Sequence, residues 1–90
     1  MQEKTIKRII LFASGSGTNV ENIIKYFKHN PALEIARVFT NNPKAGVIER
    51  LAWTKIKTTL FDKVQLTNGE LINQIKLLNP DLIVLAGFLL

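Results

Sequence analysis

The sequence predicts an α/β domain, a parallel sheet whose strands alternate with helices. Three observations carry this. Short, continuously apolar runs such as Ile9-Ile10-Leu11-Phe12-Ala13 and Leu82-Ile83-Val84-Leu85-Ala86 read as strands covered on both faces, as in parallel sheets. Between such runs lie segments whose apolar residues recur at helical spacing. The two kinds of segment alternate along the chain, and alternation of this sort resolves into parallel strands joined by right-handed crossovers.

The first strand, Ile9 to Ala13, is bounded by charge on one side and by Ser14-Gly15-Ser16-Gly17 on the other. The helix after it opens at Thr18-Asn19 and turns Val20, Ile23, Ile24 and Phe27 inward, the i, i+3, i+4, i+7 pattern of one buried face. Thr18 or Asn19 is the expected cap, Glu21 suits the positive end of the helix dipole, and His29-Asn30-Pro31 ends the helix. The second strand is Ile35 to Phe39, closed by an Asn41-Asn42-Pro43 turn. A second helix runs from about Ala45 to Trp53 with Val47, Ile48 and Leu51 inward. The third strand is short, Lys57 to Phe61, and Asp62 to Asn68 reads as a loop. A third helix carries Leu71, Ile72, Ile75 and Leu78 on one stripe and stops at Asn79-Pro80-Asp81. The fourth strand is Leu82 to Ala86, followed by Gly87.

Composition narrows the function classes. The 90 residues suit one small domain, taken here as 1–90, and 47% hydrophobic residues are too many for a disordered tail. Twelve basic against seven acidic residues leave a formal charge of +5. That balance fits a small anionic substrate, and equally a solvated basic surface. The charges are scattered, so a polybasic nucleic-acid arm is not expected, and the aromatic residues make no stacking pattern for RNA. Cysteine is absent, which excludes disulfides, thiol catalysis and Cys-based zinc sites; no metal is expected. No apolar run is long enough for a membrane span or a signal-peptide core, so the expectation is a cytoplasmic protein without a membrane partner. The apolar tail Phe88-Leu89-Leu90 needs cover. It folds back, pairs in a homodimer, or meets further residues of a longer domain; truncation after the fourth strand is the reading adopted.

The chemistry concentrates in Ser14-Gly15-Ser16-Gly17-Thr18-Asn19. Glycines between a buried strand and a helix allow a sharp turn and close approach of a ligand to the backbone. The helix start adds unpaired N–H groups and partial positive charge, which together suit phosphate. Ser16, Thr18 and Asn19 add side-chain donors. The alternative is an ordinary strand–helix turn. A dinucleotide is disfavoured, because Val20 stands where the third glycine of G-x-G-x-x-G belongs and the second strand ends in Phe39-Thr40-Asn41-Asn42 without an acid. The string G-x-x-x-x-G-K-S/T of triphosphate-binding loops is missing. In a doubly wound sheet of order 3-2-1-4, the glycine loop after strand one faces the segment after strand four across one crevice. The loop would hold phosphate there, and Gly87-Phe88-Leu89-Leu90 would form an apolar wall, unless Phe88 and Leu89 are plain core.

These residues resemble the phosphoribosylglycinamide formyltransferase family, which opens with a strand, a loop of the form S-G-x-G-S/T-N and a helix. Here that loop is Ser14 to Asn19. The family's L-A-G-F segment is matched by Leu85-Ala86-Gly87-Phe88 after Asn79-Pro80-Asp81, and its second helix by Gly46-Val47-Ile48-Glu49-Arg50-Leu51-Ala52. The resemblance runs through all 90 residues in the same order. It implies a Rossmann-like sheet and formyl transfer from 10-formyltetrahydrofolate, as co-substrate, to the amine of phosphoribosylglycinamide in purine biosynthesis. It also implies phosphate binding at Gly17, Thr18 and Asn19, within the site Gly15, Ser16, Gly17, Thr18 and Asn19. Phe88, Leu89 and Leu90 are matched to the folate pocket, from Leu89 on partly through backbone groups. An arginine that the family often carries after the third strand is Val64 here, so its role is not transferred; Lys63 beside it is the candidate substitute.

The family's catalytic Asn, His and Asp lie beyond the L-A-G-F segment, so the chain by itself is expected to be inactive. His29 reads as a solvated residue at a helix end, and Asp62, Glu70 and Asp81 as loop and cap residues. The competing class is a small nucleotide-binding module without catalysis, which the lack of catalytic side chains favours and the family resemblance opposes.

Overall fold

The structure, a computed structural model, describes residues 6–88. Leu89 and Leu90, assigned above to the folate pocket, lie outside them. The elements follow in the order β1 (Lys7–Phe12), α1 (Thr18–Phe27), β2 (Leu33–Thr40), α2 (Gly46–Arg50), β3 (Thr58–Leu60), α3 (Lys63–Asn68), α4 (Glu70–Leu78) and β4 (Leu82–Leu85). All strand pairings are parallel and the order across the sheet is β3-β2-β1-β4. This is the expected Rossmann-like arrangement, with β1 inside the sheet.

β1 organises the core because its side chains alternate between two covered faces. Ile9, Leu11 and Ala13 join Val20 and Ile24 of α1 and Val47 and Leu51 of the α2 region. Ile10 and Phe12 join Phe39, Phe61 and Leu71 on the opposite face, beneath α3 and α4. Each fully buried aliphatic side chain in these layers contributes roughly 1.5–3 kcal/mol. The ring of Phe12 lies 5.3 Å from Phe39, 5.7 Å from Phe61 and 5.3 Å from Phe88.

β2 contains an irregularity that keeps these layers in step. Ile9 pairs with Ile35, but Ile10 pairs with Arg37, so Ala36 is an extra residue in the strand. Ile35 and Val38, three positions apart, both reach the α1 side, and Phe39 reaches the other. An extra residue resets a period of two in this way. The amino end of the sheet is tied by Arg8. Its N–H donates to Asp81 Oδ2 (2.8 Å), its carbonyl accepts from the Asp81 N–H (2.7 Å), and its Nε donates to the Leu78 carbonyl (2.7 Å).

Several elements differ from the sequence expectation. Residues 62–68 are not a loop; Lys63–Asn68 form α3. Asp62 Oδ1 accepts from the Gln65 N–H (2.8 Å) while Gln65 Oε1 accepts from the Asp62 N–H (3.0 Å), a reciprocal cap that starts a helix without an apolar stripe. Gly69, at φ 93°, then breaks the chain before α4. α2 is shorter than Ala45 to Trp53, and Ile48 points outward while Val47 and Leu51, one turn apart, are buried. Ile72 is likewise exposed on α4, where Leu71 carries the buried contact. β4 is not covered on both faces: Leu82, Ile83 and Leu85 are exposed, and among the described residues β4 is the last strand on its side of the sheet. No helix among the described residues is long and apolar enough to cross a membrane.

Candidate functional site

The glycine loop leaves β1 at the carboxyl edge of the sheet. Its start is fixed on both sides: the Ala13 N–H donates to the Phe39 carbonyl (3.0 Å) and the Ser14 N–H to the Gly87 carbonyl (3.2 Å). Ser14 Oγ donates to Asn41 Oδ1 at 2.8 Å. The expectation that Thr18 or Asn19 caps α1 is not met. Gly17 occupies the cap position at φ 83°, no side chain caps the helix, and Thr18 is already helical. Thr18 Oγ1 instead lies 3.0 Å from Ser16 Oγ. Glycine fits because it reaches positive φ without strain and leaves the helix start open to a ligand.

Gly15, Ser16, Gly17, Thr18 and Asn19 line one crevice of about 200 Å³ together with Ala86 and Gly87. The five loop residues singled out in the sequence are thus brought together, opposite the end of β4, at the switch point where β1 meets β4. The crevice is smaller than the few hundred Å³ of a whole-ligand pocket, a size for one group of a ligand. Among the described residues no titratable side chain lines it. The apolar wall, among the described residues, is Ala86 and Gly87. Phe88 turns to the other face of the sheet, where its ring meets Phe12 (5.3 Å) and Phe61 (6.0 Å).

α2 packs against the back of the loop. The Val47 N–H donates to the Gly15 carbonyl (3.2 Å), and Arg50 Nε donates to the Ser16 carbonyl (2.8 Å). Arg50 Nη1 also pairs with Glu21 Oε1 at 3.2 Å, Trp53 Nε1 donates to Glu21 Oε2 at 3.2 Å, and Lys25 Nζ lies 3.8 Å from Glu21. Desolvation acts to raise the Glu21 pKa, but the hydrogen bonds from Trp53 and Arg50 and the charges of Lys25 and Arg50 outweigh it and hold the carboxyl below its ordinary value. Sequence reasoning missed Arg50 and Trp53. Ser16 and Arg50 stand 34 positions apart, and no spacing rule links them.

The remaining sequence candidates lie elsewhere. Lys63 and Val64 are exposed in the first turn of α3. Lys63 borders a hollow of about 430 Å³ with Asn41, Phe61, Asp62, Leu66 and Thr67. His29 is exposed in the turn after α1. A further hollow of about 410 Å³, mostly apolar, lies between the end of α1 and β2, away from the glycine loop. Among the described residues no three His, Asp or Glu side chains converge on a metal position.

Known proteins share this fold. Residues 7–90 match the family model described as formyl transferase. The chain is 36% identical over 87 residues to the phosphoribosylglycinamide formyltransferase of Escherichia coli (strain K12), covering 90% of this chain and 41% of that protein. It is 32% identical over 90 residues to the enzyme of the same name from Bacillus subtilis (strain 168), covering 93% of this chain and 46% of that protein. The chain therefore spans less than half the length of these curated relatives. Among solved structures, the phosphoribosylglycinamide formyltransferase of Bacillus halodurans superposes with a TM-score of 0.76 at 37% identity, over 91% of this chain and 45% of that one. The Brucella melitensis enzyme gives 0.83 at 27% identity, over 96% and 48%. A family model matched over residues 7–90, with two relatives above 30% identity along nearly the whole chain, settles the kinship: this chain belongs to the formyl transferase family.

Proposed function

We propose that this chain supplies the phosphate-binding part of a phosphoribosylglycinamide formyltransferase, a cytoplasmic enzyme that moves a formyl group from 10-formyltetrahydrofolate to the glycinamide amine. The observation that carries the reading is the crevice formed by Gly15 to Asn19 opposite Ala86 and Gly87. Its floor is the open start of α1, where helical N–H groups have no partner within the helix. Their partial positive charge favours an anion. Ser16, Thr18 and Asn19 add donors at the rim, and the size suits one phosphate group rather than a whole nucleotide.

In the proposed reaction the amine attacks the formyl carbon, a tetrahedral intermediate forms, and the carbon–nitrogen bond to the folate breaks. The amine must lose a proton and the oxyanion needs donors. Among the described residues the crevice holds no titratable side chain, and its part is to anchor the phosphate and fix the distance to the amine. The chain alone then binds the substrate without turning it over. For the folate, Phe88, Leu89 and Leu90 remain the proposed residues, with the hollow beside Phe61 and Lys63 as the neighbouring space.

The test is a calorimetric titration of the chain with phosphoribosylglycinamide, alongside Asn19→Asp. An aspartate in the first turn suits the helix dipole, so folding is preserved while the phosphate is repelled. The variant is expected to lose at least about tenfold in affinity, the effect of roughly 1.4 kcal/mol. A chain folded by circular dichroism that gives no binding heat, or an Asn19→Asp variant that binds equally well, would overturn the phosphate assignment. Formyl transfer by the chain alone would overturn the division of labour.

A further inference from the structure

We propose that Arg50 is the positioning residue of the glycine loop: through the Ser16 carbonyl it sets the direction of the Gly17 N–H. This deepens the phosphate-site reading and rests on it. Two hollows share Ser16 and no other lining residue. One is the crevice with Thr18, Asn19, Ala86 and Gly87; the other contains Glu21, Gly46, Glu49 and Arg50. The Ser16 carbonyl is drawn toward the second by Arg50 Nε at 2.8 Å. A trans peptide holds its N–H opposite its carbonyl, and the chain has no cis peptides among the described residues. The Gly17 N–H is therefore turned toward the crevice. The preceding peptide is set the same way, since the Gly15 carbonyl accepts from Val47 N–H at 3.2 Å, and this turns the Ser16 N–H in the same sense. Two successive N–H groups aimed into one concavity make an anion nest.

Arg50 holds this position because Glu21 holds Arg50. The guanidinium forks between the Ser16 carbonyl and Glu21 Oε1, and Trp53 Nε1 takes the other carboxylate oxygen. Glu21 belongs to α1, the helix whose start floors the crevice. Loop, α1 and α2 are thus coupled through one side chain. Gly46 completes the fit, since a Cβ there would stand 3.1 Å from Ser16 Cα. A lysine offers one ammonium on a flexible stem in place of a planar fork, so it can reach the carbonyl and the carboxylate without fixing their directions.

The experiment combines two readouts on the wild-type chain, Arg50→Ala, Arg50→Lys and Lys28→Ala. The last removes a cation that lies beyond the end of α1 and serves as a control for net charge. In ligand-free protein, the Ser16 carbonyl-carbon and Gly17 amide resonances are expected to move in Arg50→Ala, while those of Leu11 and Val38 in the sheet stay in place. Affinity for phosphoribosylglycinamide is expected to fall about tenfold or more in Arg50→Ala, the usual effect of losing a hydrogen bond from a charged donor. It is expected to be partly restored in Arg50→Lys and nearly unchanged in Lys28→Ala. Unmoved Ser16 and Gly17 resonances, or wild-type affinity in a folded Arg50→Ala chain, would overturn the inference. Absence of binding by the wild-type chain would instead overturn the phosphate reading, and the ligand-free resonances would still decide the role of Arg50.

Discussion

Gly17 and Val47 are packed so closely that no side chain fits between them: a Cβ on Gly17 would stand 2.7 Å from Val47 Cα, Cβ and Cγ2 alike. Gly17 also sits at φ 83°, where an L-residue is strained. Gly17→Ala is expected to lose roughly 2–5 kcal/mol, the sum of backbone strain and overpacking. Adding Val47→Ala should give no rescue, because Cα and Cβ of residue 47 remain in the way. Urea unfolding of the single and double variants measures this, and a double variant as stable as wild type would refute it.

The acid side of the stability profile should carry the signature of Glu21. Its pKa is held below the ordinary value in the folded chain, so the folded state favours the carboxylate more than the unfolded state does. The resulting stability is complete above the ordinary glutamate pKa and is lost as pH falls through the lowered native value. Glu21→Gln, similar in shape, should be less stable than wild type at neutral pH and should flatten the acid limb. Denaturation midpoints across that limb decide it; parallel profiles would exclude the role.

The start of α3 depends on Asp62. Asp62→Ala removes the acceptor of the Gln65 N–H and should cost about 1 kcal/mol. Hydrogen exchange at Gln65 and Leu66 should speed up, with little change in β1. Unchanged exchange across residues 63–68 would mean that packing of Leu66, rather than the cap, holds the helix.

Phe12 and Leu77 should separate burial from mere hydrophobicity. Phe12 is 7% exposed and touches three other rings, whereas Leu77 is 87% exposed. Phe12→Ala is expected to cost about 3–5 kcal/mol, enough to unfold much of a domain this small at ambient temperature. Leu77→Ala should stay within about 0.5 kcal/mol of wild type. Thermal unfolding of both variants checks the contrast.

The sheet was legible because its strands are apolar runs, and the glycine loop because Gly15 and Gly17 stand between a strand and a helix. What escaped were features that periodicity does not encode. α3 has no apolar stripe, and its only sequence sign was Asp62 three places before Gln65. β4 reads as fully buried from composition, yet among the described residues it has a neighbour on one side only, and Leu82, Ile83 and Leu85 are exposed. The cap expected at Thr18 or Asn19 gave way to Gly17 because the chain must turn at positive φ there. The link from Arg50 to Ser16 exists only once α2 is folded against the loop.

The extra residue at Ala36 makes β2 tolerant of one particular loss. Deleting that one codon would join Ile35 to Arg37 and leave β1 and β2 paired residue for residue. Ile35 and Val38 would then stand two positions apart, and an ordinary period of two keeps both on the α1 side and Phe39 on the aromatic side. A frame-preserving loss of three nucleotides there would thus spare both layers and remove only the local bend and twist that a bulge adds. In this strand one residue is spare for facing and serves shape instead.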